Sequence, residues 1–294
     1  MKARKPKIPF VLNLVPTGLL PTKGDNPRLP VTPEEIASDV VECAAVGISM
    51  VHVHARDPYG SPTLDKSVYA EIIGRIRREC PLVVICVSLS GRGGRQLDQR
   101  MEPMFLDGDL KPDMASLTLS SLNFNREASV NDPSTVRALA EAMLDREIKP
   151  EIEVFDLGMA NCMNYLADRG VLKPPFYANL ILGNISCAQA DMMHMGLLVS
   201  ELPDGTLWSA GGVGGWQLTA NAAALAFGGG VRVGLEDNLW FDEERTILAT
   251  NLKLVNRIHD LAGCHRIRNM SPSQLREVLG LNAGGSDGYG VKKI

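Results

Sequence analysis

Eight apolar, β-branched runs recur along the chain, each followed by an amphipathic stretch with helical spacing. This alternation constrains the fold more than any other feature. The runs lie at residues 10–15, 50–54, 82–88, 114–119, 151–154, 177–182, 207–210 and 231–234, with the lengths and bounding turn residues of strands. The segments between them, at 33–45, 66–79, 98–105, 133–145, 159–168, 188–199, 218–227 and 242–262, read as helices. Two are entered by a capping residue and a proline, Thr32-Pro33 and Asp132-Pro133. Strands separated by helical crossovers pair in parallel, and eight such units without a linker predict a single closed (β/α)8 TIM barrel, an α/β fold. A doubly wound sheet would need a glycine-rich phosphate loop after the first strand, and NLVPTGLLPTKG lacks that fingerprint. The barrel is expected over residues 1–268. A short helix at 272–279 and a glycine-rich stretch, either a mobile tail or a subunit-bridging arm, fill 269–294.

Composition narrows the class of partner. With 45% apolar and 22% charged residues among 294, the chain can form a sizeable core, unlike disordered or collagen-like sequences. Thirty Lys and Arg against 34 Asp and Glu leave a net charge of −4, so the long-range attraction behind nonspecific phosphate-backbone binding is missing. Nucleic acid is not expected as a partner. No window approaches ~18 uninterrupted apolar residues, and the basic N-terminal stretch breaks at Asn13 and Pro16 without a cleavage site, so neither a membrane span nor a secretory signal is expected. Six cysteines without a CxxC pair read as reduced thiols of a cytoplasmic protein.

In a barrel the chemistry sits at the C-terminal ends of the strands. In Met50-Val51-His52-Val53-His54 the alternation of side chains puts both histidines on one face, and the valines suit the helix-facing side. Two neighbouring imidazoles at a barrel mouth point to metal ligation, since neutral imidazole is the commonest metal donor. The competing reading is a pair of partly solvated polar residues. In Val231-Arg232-Val233-Gly234-Leu235-Glu236-Asp237 the same parity turns Arg232 and Glu236 inward, where Glu236 can supply a third ligand; alternatively, Arg232 and Glu236 form an internal ion pair that fills the barrel. Two His and one carboxylate leave an open coordination position, as in catalytic zinc sites, although non-haem iron takes the same set. Ser88, then Ser116 and Thr118, then Glu151 and Glu153 also fall on inward positions, where a purely structural barrel would place branched apolar residues. Hydroxyls, an arginine and a carboxylate around a metal suit a small anionic substrate and proton transfer. The run Gly211-Gly212-Val213-Gly214-Gly215 after strand seven occupies the place where barrels often bind phosphate, which makes a phosphate-bearing cosubstrate reasonable.

Taken in order, HVHARD, VSLSGR, KPDMASLTLSSLNF, PEIEVFDLGM and GGVRVGLEDN resemble the strand-end motifs of the β-keto acid cleavage enzymes, and the resemblance runs from about Pro9 to Leu279. It implies a barrel, usually tetrameric, that uses a divalent metal, typically zinc, and acetyl-CoA. The implied reaction converts a β-keto acid and acetyl-CoA into acetoacetate and a new acyl-CoA. By resemblance His52, His54 and Glu236 hold the metal. Ser88, the backbone at Gly91 and Ser116 hold the substrate carboxylate, with Thr118 on the same wall. Arg232, Asp237 and Glu153 stand at the reacting centre. One departure bears on the substrate. A described member, acting on 3-keto-5-aminohexanoate, carries a Thr-Gly-Ala-Glu stretch suited to the substrate's ammonium, whereas this chain reads Thr17-Gly18-Leu19-Leu20. Leu20 offers no countercharge, so the substrate's variable group is expected to be neutral or apolar and not a primary amine.

Three other readings compete. An amidohydrolase-type hydrolase would place HxH on strand one and add histidines at strands five and six, where this chain has Glu153-Val154 and Ile181-Leu182. A metal-dependent aldolase or lyase could use the same residues without CoA. A non-catalytic barrel would bind no stoichiometric metal.

Overall fold

A computed structural model describes residues 9–284 and 288–292. Eight parallel strands close into a barrel in strict chain order: β1 (Leu12–Leu14), β2 (Met50–Val53), β3 (Val84–Val87), β4 (Met114–Thr118), β5 (Lys149–Val154), β6 (Tyr177–Leu182), β7 (Leu207–Gly212) and β8 (Gly230–Val233), which pairs with β1. The crossovers carry α1 (Pro33–Val46), α2 (Lys66–Glu79), α3 (Leu97–Met101), α4 (Pro133–Asp145), α5 (Leu157–Asp168), α6 (Met192–Glu201), α7 (Gln217–Phe227) and α8 (Asn251–His265), followed by α9 (Pro272–Leu279). Thr32 caps α1 reciprocally with Glu35, and Asp132 accepts from the Ser134 and Thr135 backbone N–H groups at the start of α4. No helix among the described residues is long and apolar enough to cross a membrane.

Two helices begin later than the apolar spacing predicts. The eighth starts at Asn251 rather than 242, because the Asp242 carboxylate accepts from the Thr246 and Ile247 backbone N–H groups and holds that stretch as a turn. The sixth starts at Met192 rather than 188, where Asp191 caps the His194 N–H. The third crossover is a short helix continued by a 3-10 turn at Glu102–Phe105.

Inward side chains stack in layers. Val11, Met50, Val84, Met114 and Tyr177 fill the N-terminal end of the barrel, together with Leu275, Leu279 and Leu281 from the α9 region. Where it is described, the C-terminal segment therefore packs against the barrel rather than running free as a tail; residues 285–287, 293 and 294 of the glycine-rich stretch lie outside the described residues. Arg276 donates to Asp113 and to the Leu82 and Val83 carbonyls, while the Tyr289 hydroxyl donates to the Pro81 carbonyl. Plugging the bottom leaves the top as the open end. There two small hairpins, Ala55–Arg56 with Pro62–Thr63 and Leu122–Asn123 with Ala128–Ser129, build up the walls after β2 and β4.

Candidate active site

The β2 alternation carries both histidines inward and buries them, with the His52 and His54 Nε2 atoms 3.1 Å apart. Glu236 lies beyond the end of β8, where its backbone N–H donates to the Val15 carbonyl and its Oε1 stands 3.2 Å from His54 Nε2. A tetrahedral ion with bonds of ~2.0–2.2 Å separates its ligand atoms by about 3.3–3.6 Å, so these spacings sit close to those of an ion-binding cluster. Two further observations fit a cation. Glu236 Oε2 is buried without a hydrogen-bond partner among the described residues. Burial also drives the His54 imidazole down to about 4 despite the Glu236 carboxylate beside it, which keeps it in the neutral form a metal takes. Glu236 is pressed against Gly18, whose φ is +68° and where a Cβ would stand 2.6 Å from Glu236 Cγ. Gly18→Ala is expected to shift Glu236 and lower both metal affinity and turnover by roughly 10–100-fold, as loss of a ligand's support does. Metal titration of the variant checks this.

Beneath the cluster, Glu151 is fully buried on β5, with Oε2 2.5 Å from His52 Nδ1. Its Oε1 accepts from Asn13 at 2.6 Å and Asn179 at 2.5 Å. Burial would raise this carboxyl, but the His52 imidazole against it overrides burial and holds Glu151 at about 2. Burial would lower the His52 imidazole, but the Glu151 carboxylate against it raises it to about 8; with the Nδ1 proton donated to Glu151, loss of the other proton presents the Nε2 lone pair toward His54 and Glu236. Cys86 also lies against Glu151; burial pushes its thiol well up, so it donates to Glu151 as a thiol and is unsuited to ligate a metal as thiolate.

A cavity of about 420 Å³ opens above the histidines. Arg232, nearly fully buried, crosses its floor with Nε donating to Asp237 Oδ2 at 2.9 Å and Nη2 to Glu236 Oε1 at 2.6 Å, while Nη1 has no partner among the described residues. Burial raises the Asp237 carboxyl, opposed by the Arg232 charge. Glu153 lines the cavity and accepts from the Thr118 hydroxyl at 2.6 Å. Ser88 lines it too, and Leu20 stands at the rim, 53% exposed. Ser116 and Gly91 do not line it. The Ser116 hydroxyl accepts from the Leu89 N–H at 3.0 Å, and Gly91 packs so closely that a Cβ would meet the Val130 carbonyl at 2.6 Å. The glycines after strand seven have a packing cause: a Cβ on Gly211 would meet the Arg232 side chain at 3.1 Å, and the Gly214 N–H donates to the Asp237 carbonyl.

Sequence reasoning placed Glu151 inward and gave it no role, although Thr118 and Glu153 pair in register one layer above Ser116 and Glu151. Asn13, Asn179 and Arg92 were missed. The strand parity of β1 and β6 carries a signal for the two asparagines; Arg92 lies beyond β3, where parity no longer applies, and its signal is its place at the end of the VSLSGR motif.

The chain matches the model of the beta-keto acid cleavage enzyme family over residues 9–281. It is 35% identical over 263 residues to a 3-keto-5-aminohexanoate cleavage enzyme of Fusobacterium nucleatum, covering 88% of this chain and 93% of that protein. It is 32% identical over 284 residues to a 3-oxoadipate:acetyl-CoA acetyltransferase of Cupriavidus necator, covering 95% and 98% of the two chains. Among solved structures, apo ObcA superposes with a TM-score of 0.77 at 20% identity over 86% of this chain and 66% of its own, a likeness of fold. With matches over nearly its whole length, this chain belongs to the beta-keto acid cleavage enzyme family.

Proposed function

We propose that the protein condenses a β-keto acid with acetyl-CoA and releases acetoacetate and the CoA ester of the remaining acyl group. The observation that carries this reading is the convergence of His52, His54 and Glu236 with the Arg232–Asp237 pair on one cavity floor. A divalent cation held by those three ligands, zinc as the family resemblance implies, would supply Lewis-acid polarisation of a keto oxygen. Asp237 is the base that takes the C2 proton, because Arg232 aims its carboxylate across the floor and burial makes that carboxylate a stronger proton acceptor than an exposed one. The C2 carbanion attacks the thioester carbonyl, and the CoA thiolate leaves. It then adds to the original ketone, and the C2–C3 bond breaks to give acetoacetate, which regains its proton. Glu153, oriented by Thr118, is placed to hold a proton on the opposite wall. The reading extends to a cytoplasmic setting, suited to the six free thiols, and to a homotetramer, for which the exposed Ile185, Met192 and Met193 offer apolar surface.

For the substrate, Leu20 shares the cavity with Leu19, Leu122, Phe124 and Leu239, which suits an uncharged variable group. Asp25 also reaches the rim, but its Oδ2 is engaged by the Thr22 N–H at 2.9 Å and hydroxyl at 2.7 Å. A 3-oxohexanoate is therefore expected to exceed 3-keto-5-aminohexanoate in kcat/KM by about tenfold or more, the cost of leaving a polar group unpaired. Equal turnover of the two would contradict it. The whole reading is tested with a panel of β-keto acids, acyl-CoA products being read by mass spectrometry with and without acetyl-CoA. Cleavage independent of acetyl-CoA would instead support a lyase.

A further inference from the structure

Glu236 and Asp237 stand on no strand. β8 ends at Val233, and residues 234–237 form a turn in which the Asp237 N–H donates to the Gly234 carbonyl at 3.3 Å. A side chain on such a turn is only as well placed as the backbone beneath it, because no ladder of strand hydrogen bonds runs through it. Three buried amides from the helices behind the barrel brace this stretch. On α7, Asn221 donates to the Ala210 and Arg232 carbonyls, both at 2.9 Å, and Gln217 donates to the Gly234 carbonyl at 2.9 Å. The third amide is Asn251, the first residue of α8.

Asn251 differs from the other two in what it joins. Its side chain is fully buried, does not line the cavity, and is engaged at both ends. Oδ1 accepts from the Leu235 N–H at 2.8 Å, while Nδ2 donates to the Pro16 carbonyl at 3.1 Å and to the Asp39 carboxylate of α1 at 2.6 Å. These partners fix which way the amide faces, since an N–H needs its oxygen and a carbonyl and a carboxylate need its NH2 group. The residue before Glu236 is thereby clamped to the exit of β1. That exit is the other side of the Glu236 seat: the Glu236 N–H donates to the Val15 carbonyl at 3.1 Å, and Gly18 lies against the Glu236 side chain. The two chains touch, as a Cβ on Gly234 would meet the Val15 carbonyl oxygen at 2.1 Å and Asn251 Oδ1 at 3.0 Å. Asp39 holds the amide from behind, so α1, α8 and both strand ends share one joint.

We propose that Asn251 is a positioning residue for Glu236 and Asp237, setting the gap between the ends of β1 and β8 in which the Glu236 carboxylate meets His54. The assignment rests on the ligand set proposed above. Asn251 acts through the Leu235 backbone and touches neither the ligand atoms nor the cavity. A working site tolerates displacements of only about 0.5 Å, so a joint loosened one residue away reaches the ion.

The test compares wild type, Asn251→Ala and Asn251→Asp with Ser49→Ala. Ser49 is the control because it makes the same kind of buried bridge at the closed end of the barrel, accepting from the Leu12 N–H at 3.0 Å and donating to the Met270 carbonyl at 2.7 Å. Each protein is titrated with zinc against a chelating dye, loaded with Co2+ for its visible spectrum, melted, and followed by hydrogen exchange of the 233–238 segment. Asn251→Ala is expected to weaken zinc binding by roughly 10–100-fold, as loss of a ligand's support does, to alter the Co2+ spectrum and to speed exchange at Leu235. Asn251→Asp keeps the Leu235 bond and gives up both donors, so a loss of about fivefold, the worth of one hydrogen bond, is expected; it decides the matter should Asn251→Ala fail to fold. Ser49→Ala should melt lower with wild-type zinc affinity and spectrum. Wild-type zinc affinity in the Asn251 variants, or an equal loss in Ser49→Ala, would overturn the proposal. If wild type takes up no zinc, the ligand set assigned above fails instead; faster exchange of 233–238 in Asn251→Ala alone then supports Asn251 as the holder of the turn, and unchanged exchange overturns it.

Discussion

His54→Ala is expected to lose most of its bound metal and essentially all turnover while melting as a folded barrel. Its Nε2 faces His52 and Glu236 and supports no other part of the fold, so removing it costs a ligand without stranding a buried charge. Glu151→Gln should have a milder effect of the same kind, about 10–100-fold in metal affinity, because it alters the partner that fixes the His52 ring and leaves all three ligands present. The order is the informative part. If Glu151 served only to satisfy Asn13 and Asn179, its amide variant would change thermal stability and leave metal affinity alone. Metal analysis by mass spectrometry, paired with thermal melts of both variants, separates these outcomes.

Asp237→Asn should retain metal and keto-acid binding and lose catalysis. An amide still accepts from Arg232 Nε, so the floor of the cavity keeps its shape, but it takes no proton. Loss of a positioned general base is expected to lower kcat by about 10²–10⁴-fold with little change in KM. Enzyme-promoted exchange of the keto acid's C2 hydrogens with D2O, followed by NMR, should disappear in the same variant. Continued exchange in Asp237→Asn would move the base to Glu153.

Much of this fold was legible because the barrel is made of short crossovers. Each strand pairs with its neighbour in sequence, so counting eight runs also fixed their order, and strand parity turned His52, His54, Arg232 and Glu153 inward. What was not legible depends on contacts between distant segments. Asn13 and Glu151 meet across the barrel from β1 and β5, and no local pattern announces that pairing. Ser116 sits on an inward position as parity demands, yet its hydroxyl is turned to the Leu89 N–H because the chain after β3 folds down on it. The eighth helix was drawn too long because apolar spacing continues through 242–250, where the Asp242 carboxylate competes for the backbone. Arg92 acquires its orientation from Phe124, 32 residues on, through a hairpin that only the folded chain brings beside it.

The central claim is that the acetyl group of acetyl-CoA ends in acetoacetate while the rest of the keto acid leaves on CoA. Incubating the protein with unlabelled 3-oxohexanoate and acetyl-CoA carrying ¹³C at both acetyl carbons tests it directly. The account predicts acetoacetate labelled at C3 and C4, together with unlabelled butyryl-CoA in equal amount. Cleavage of the keto acid with the label still in acetyl-CoA, or label appearing in the longer acyl-CoA, would contradict it.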